Sequence, residues 1–372
     1  MMWRKGTVIG LPQAWGQAQV CDVELEDRNI LRALAYVPLV GLPQVGDTVL
    51  LTGATVARGL GTGGYLMVVA IPDRLPPDPV PGPGHIVKAR YTPLQYMTMG
   101  ADEQESPWHL TLAEADSIDG MPVVVADLHS ALPAVVAAIR ARNPKARIAY
   151  IMDDGGALPV WFSRICSSLT DAGHILGTIT ARQAFGGELE TVNMHTALLA
   201  AKQVWHADIA VVSQGPGNLG TGTTWGFSGT SVGEAINAVN VLGGRAIGLL
   251  RMSNADARSR HFGLSHHSVT ALTRVALSPA VCPVPVFCDD GEGTLDRLVP
   301  GDVRELLAGQ LAALFACDHL TRLDVCTHGL REAFADSPVT LQTMGRGFEE
   351  DPLAFLAAGV AGYAAADMVA QS

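Results

Sequence analysis

The sequence predicts an α/β fold, a doubly wound and mostly parallel sheet preceded by a small N-terminal β-barrel. Three observations carry this. Residues 1–71 hold five short runs rich in Val, Leu and Thr, bounded by Gly, Pro or Asp. A segment with six prolines, residues 72–84, comes next. Beyond residue 120, continuous apolar runs alternate with stretches of helical spacing.

In the first region KGTVIG, AQVCDVEL, RALAYV, GDTVLL and GYLMVVAI have the length and β-branched content of strands. Strands in that rhythm fit a closed or nearly closed barrel. Proline at the density of PDRLPPDPVPGPG fixes an extended backbone and removes donors, so residues 72–84 read as a linker or wrapped arm. The alternating HIVKARYT then puts Lys88 and Arg90 on one side of a strand, a face expected to be solvated.

Residues 85–372 make the α/β domain with its C-terminal helices. MPVVVAD, ARIAYIMD, HILGTIT, ADIAVVS and RAIGLLRM are the expected strands. The first four lead into SALPAVVAAIRARN, PVWFSRICSSLTDAG, ELETVNMHTALLAAKQVW and GTSVGEAINAVNVLGG, which carry helical patterns. Val- and Ile-rich runs with polar residues only at their ends are what a parallel sheet covered on both faces requires. The tail adds two helices, GDVRELLAGQLAALFA and DPLAFLAAGVAGYAAADMVA.

Composition narrows the function classes. The 372 residues suffice for two domains, and 48% hydrophobic against 16% charged residues describes an ordered chain. A net charge of −11 disfavours nucleic acid as a partner, since a phosphate backbone calls for a basic face. The six cysteines lie far apart, with no disulfide-scaffold spacing, so reduced thiols and a cytoplasmic location are expected. The N-terminal MMWRKGTVIGLPQ has no continuous apolar core, and no charge-free run that is apolar throughout approaches the length of a membrane span.

Ligands of open α/β sheets bind beyond the carboxyl ends of the strands, where loops and helix N-termini gather. Those ends collect the polar residues: Asp127 and His129 after the first strand, Asp153 after the second, a glycine-rich loop after the fourth and SNADARSRHFGLSHH after the fifth. The opposite ends, RNPKAR, TDAGH and VLGG, look like ordinary connections.

The loop SQGPGNLGTGTTWGFSGTSVGEA places Gly215, Gly217 and Gly220 in G-x-G-x-x-G spacing. It is a poor dinucleotide fingerprint, because Pro216 interrupts it and its helix begins only near Gly229; lacking a lysine, it is no P-loop either. Its glycines either serve tight turns or bring backbone N–H groups, with Asn218 and the hydroxyls of Thr221, Thr223, Thr224 and Ser228, around an anionic or carbonyl oxygen. A cation would then come from Arg251, Arg258, Arg260 or the Lys88–Arg90 strand.

His261, His266 and His267 fall close together among three arginines. They are either ordinary surface histidines or a source of acid–base chemistry, with His266 or His267 as the proton carrier and Asp127 and Asp153 as orienting carboxylates. A mixed metal set of His129, Asp153 and His266 is a minor alternative, unsupported by any local ligand spacing. The two Cys-x-His pairs in CDHLTRLDVCTH lack zinc-site spacing, and Ser228 misses the nucleophile-elbow pattern at Thr230. Glu190 and Asn193 open a helix, where capping is the default role and ligand binding by Glu190 the alternative.

The motifs GHIVKARYTPLQ, DLHSALPAV, TITARQAFGGELETVN, QGPGNLGTGTTWGFSGTSVGEAINAVNVLGGRAI, ADARSRHFGLSHHSVTAL and TMGRGFEEDPLAFLAAGVAG resemble a bacterial family, domain of unknown function 3866. The resemblance spans nearly the whole chain. It implies a small β-barrel ahead of an α/β domain and carries no activity, cofactor or catalytic residue with it.

Two functions are therefore open. One is an enzyme acting on a small anionic or carbonyl-bearing metabolite at the carboxyl edge of the sheet, its cofactor unknown. The other is a noncatalytic sensor or assembly protein whose barrel docks a partner. A homodimer is the default expectation for the assembly.

Overall fold

A computed structural model of the chain describes residues 1–61, 63–80, 82–287 and 298–370. The fold divides into two compact units, residues 1–98 with 161–167, and residues 99–160 with 168–372.

The first unit is built on five strands, β1 (Trp3–Trp15), β2 (Ala18–Leu25), β3 (Ile30–Tyr36), β4 (Thr48–Thr52) and β5 (Leu66–Ala70). They close in the order β1-β2-β3-β5-β4, the barrel expected from their spacing. Alternation sends Val8, Val23, Ala33, Val49, Leu51, Leu66 and Val68 inward. β1 is long enough to pair with both β2 and β4, and it bends by register shifts on either side of Gly10. Cys21 belongs to this interior, where burial pushes its thiol up to about 12. Strands β6 (Ile86–Lys88) and β7 (Tyr96–Thr98) form a separate hairpin. Lys88 departs from the solvated face expected of it and is 1% exposed.

The second unit carries an eight-stranded, wholly parallel sheet. Its strands are β8 (Pro122–Ala126), β9 (Ile148–Asp153), β10 (Thr178–Thr180), β11 (Leu189–Glu190), β12 (Ile209–Gln214), β13 (Arg245–Gly248), β16 (Ala280–Val286) and β17 (Leu320–Cys326). A two-stranded ribbon, β14 (Met252–Ser253) with β15 (Gly263–Leu264), interrupts the chain after β13. The sheet order is β11-β10-β9-β12-β8-β13-β16-β17. The chain thus moves outward from β8 through β9, β10 and β11, returns to insert β12 beside β8, and then builds the other half. That reversal is the topological switch of a doubly wound sheet.

The five strands expected from the sequence are all present, and three more extend the sheet. β16 was hidden by Pro283 and Pro285, which a central strand rarely tolerates. It pairs with β17 over seven residues but with β13 only at Ile247↔Val281, so the donors missing from its prolines are concentrated on the β13 side. Helix Pro352–Ala370 is long and apolar enough to cross a membrane, yet 72% of its apolar window is buried inside the fold. It packs on helix Leu132–Arg142, so closely that a β-carbon on Gly362 would stand 2.4 Å from the Val135 carbonyl oxygen. An apolar surface all round is what a helix enclosed by the core requires.

Of the described cysteines, Cys21, Cys166, Cys282 and Cys317 are free thiols. The expectation of reduced thiols throughout fails at Cys326, which is disulfide-bonded. Cys317 meets His319 Nδ1 at 3.3 Å, and His319 Nε2 faces the Leu272 carbonyl at 2.8 Å, so this Cys-x-His pair is locked in local contacts.

Candidate functional site

β8 is buried along its whole length, and Asp127, the residue that follows it, is only 4% exposed. A carboxylate so placed needs partners, and four side chains supply them. Arg251 Nη1 donates to Oδ2 at 2.8 Å, and His267 Nδ1 lies 3.2 Å from the same oxygen. Asn218 Nδ2 donates to Oδ1 at 2.9 Å, with Gln214 Nε2 at 3.3 Å. Burial pushes the Asp127 pKa up, but the His267 hydrogen bond and the Arg251 charge outweigh it and hold the carboxyl below its ordinary value.

His267 Nδ1 has a second neighbour, Arg251 Nη1, at 3.1 Å. Guanidinium can only donate. The ring nitrogen therefore either carries a proton and gives it to Asp127, or lacks one and accepts from Arg251. One proton decides between two hydrogen-bond patterns. Phe227 stacks on the imidazole at 3.8 Å with the planes 8° apart, which fixes its tilt.

His261 and His266 complete a group with His267, offering one ring nitrogen each within 4.8 Å of one another. His261 Nδ1 meets Ser265 Oγ at 2.8 Å, while His266 Nε2 is buried with no hydrogen-bond partner. Burial, with the charges of Arg251 and Arg258, pushes His261 down to about 3, so the ring is neutral. Burial and the neighbouring His267, Arg260 and Arg251 lower His266 as well. Neutral imidazole is the ligating form, and among the described residues these three form the group that could hold a metal.

The glycine loop largely closes on itself and on its neighbours. Thr221 Oγ1 bonds Thr223 Oγ1 at 3.1 Å and the Gly226 carbonyl at 3.2 Å, Thr223 Oγ1 accepts from Gly226 N, and Ser228 Oγ accepts from Leu219 N. Gly220 bridges to Phe227 and Gly217 has φ +90°. A β-carbon on Gly215 would lie 2.3 Å from the Ala157 carbonyl oxygen. The glycines thus answer to close packing and turns, and from this loop Asn218 reaches the Asp127 carboxylate. Arg260, exposed, lies across from Gly222.

Other residues singled out in the sequence fall elsewhere. Asp153 ends β9, but β12 stands between β9 and β8, and Asp153 pairs with Arg182 Nε at 3.1 Å. That contact is not an aligned hydrogen bond, and burial raises the Asp153 pKa against the opposing Arg182 charge. His129 turns to Tyr150 Oη at 2.8 Å, which meets Ser213 Oγ at 2.9 Å; burial pushes His129 down to about 4. Among the described residues, neither His129 nor Asp153 joins His266 in a metal-sized group. Glu190 lies on β11 rather than at a helix start and accepts from Thr180 Oγ1 at 2.7 Å and from Gly186 N. Asn193 is the cap, accepting from Thr196 N at 3.0 Å.

Gln214, Phe227 and Ser265 are central to this geometry, and sequence reasoning gave them no role. Gln214, the last residue of β12, carried the signal of a polar strand end; Phe227 and Ser265 carried none. A cavity of about 30 Å³ opens beside Asp127 and Arg251, between Ser130, Met252, Thr343 and Phe355. It has room for a water molecule.

No curated protein and no solved structure matches the chain at a significant level. A family model described as protein of unknown function, DUF3866, matches residues 32–362, which include every residue of the cluster around Asp127, and the chain belongs to that family.

Proposed function

We propose that the chain is an enzyme acting on a small anionic or carbonyl-bearing metabolite at the carboxyl edge of the sheet. The observation that carries this reading is the His267 Nδ1 nitrogen held between Asp127 and Arg251 at 3.2 and 3.1 Å, in a buried site at the strand-order switch. Asp127 orients the ring, Arg251 biases where its proton sits, and the second ring nitrogen, Nε2, is left for chemistry. Arg260, exposed and across from Gly222, supplies positive charge for an anionic group.

The test uses a small-molecule cell extract incubated with wild-type protein and with Asp127→Asn, followed by mass spectrometry. Consumption of a compound by the wild type, slowed about 100-fold or more in the variant, is expected for loss of an acid–base assembly. An extract in which no compound changes under either protein counts against an enzyme.

A second reading, a noncatalytic sensor or assembly protein, is supported by exposed Trp3, Ile30 and Leu31 on the barrel. It predicts that a compound is retained by the protein unchanged, or that the barrel captures a protein partner.

A further inference from the structure

We propose that His261, His266 and His267 bind one divalent transition-metal cation of the zinc class. The three ring nitrogens already lie within 4.8 Å of one another. Tetrahedral zinc with bonds near 2.0–2.1 Å needs its nitrogen ligands about 3.3 Å apart, so small side-chain rotations close the site.

Two further features point to a cation. His266 Nε2 is buried without any hydrogen-bond partner, a costly state for an imidazole nitrogen that coordination relieves. The other two rings are held by their Nδ1 atoms, His267 by Asp127 Oδ2 at 3.2 Å and His261 by Ser265 Oγ at 2.8 Å. A ligating histidine normally has its second nitrogen fixed in this way, by a carboxylate above all.

Charge does not forbid the site. Arg251 is paired with Asp127 at 2.8 Å and Arg258 with Asp256 at 2.7 Å, which leaves Arg260 as the neighbouring cation without an ion pair among the described residues. Three imidazoles without a thiolate or a carboxylate in the first ring of ligands select zinc, copper, nickel or ferrous iron over calcium or magnesium. Three protein ligands also leave a fourth position open, the arrangement of a catalytic rather than a structural zinc. The inference deepens the enzymatic reading, since it shares His267 with it, but binding is measured without turnover and stands or falls separately.

The experiment takes the full chain, stripped with a chelator and dialysed, and titrates it with Co²⁺ read by visible absorption and with Zn²⁺ read by calorimetry. One metal per chain with a tetrahedral cobalt spectrum is expected, lost in His266→Gln and His261→Gln. Asp127→Asn should keep the stoichiometry and weaken affinity by roughly 10–100-fold. X-ray absorption at the metal edge of the zinc-loaded wild type needs no variant and should show imidazole nitrogen ligands at about 2.0–2.1 Å. Absence of binding by the folded wild type, binding that survives both substitutions, or a bound metal without imidazole ligands overturns the site. Binding in the absence of any consumed compound would uphold the metal site while counting against the enzyme.

Discussion

A β-carbon on Gly229 would stand 2.0 Å from Asp127 Oδ1. The turn that opens helix Ser231–Val241 therefore touches the most heavily hydrogen-bonded carboxylate of the site, and only glycine permits the approach. Gly229→Ala should displace Asp127 and cost about 1–3 kcal/mol, as overpacking does. Chemical denaturation measures it, and an unchanged midpoint would mean that the carboxylate is free to move.

Removing the carboxylate is expected to cost more than crowding it. Arg251 and Asp127 side chains are 10% and 5% exposed, so Asp127→Ala leaves a guanidinium buried without its counter-charge. The expected loss is about 3–5 kcal/mol. Adding Arg251→Met to that variant should recover part of it; additive losses in the double variant would contradict a coupled pair.

Glycines in two helices should respond to alanine with opposite signs. Gly309, in helix Gly301–Leu314, has open space where a β-carbon would go, and Gly309→Ala should stabilise by about 1 kcal/mol. Gly362→Ala meets the Val135 carbonyl at 2.4 Å and should destabilise by about 1–3 kcal/mol despite the same gain in helix propensity. Thermal melts of the two variants side by side decide it.

Acid should weaken the fold through His129. Burial holds this ring neutral down to about 4, whereas an unfolded chain takes up the proton near 6.5. Unfolding thus binds a proton between those values, and stability falls as pH drops from 6.5 towards 4, by up to about 3 kcal/mol. His129→Gln keeps a polar partner for Tyr150 and removes the titration. Its stability should be flatter than the wild type's across that window, and equal slopes would assign the acid sensitivity to other groups.

Strand ends were legible because their polarity contrasts with the apolar runs before them; Asp127, Asp153 and the histidine cluster all emerge that way. Their mutual distances were not, because they depend on strand order. β12 inserts between β8 and β9, which gives Asp127 the side chains of Gln214 and Asn218 and sets Asp153 apart with Arg182. Local pattern also cannot reveal which neighbour a buried ring meets, so His129 reads like a site residue and folds against Tyr150. The glycine loop was visible by composition, yet its hydroxyls serve the loop itself. β16 escaped because proline rules describe strands paired equally on both sides.

The insertion of β12 also makes the sheet depend on a strand that is synthesised after both of its neighbours. Until β12 is in place, β8 and β9 each lack the partner they share in the finished sheet. Closing directly would give a shorter, wrongly registered sheet, and remaining open invites strands from other chains. The glycine loop and its helix follow β12 directly, so the segment that seals the gap is also the one that delivers Asn218 to Asp127. Sheet and site are thus completed by the same stretch of chain.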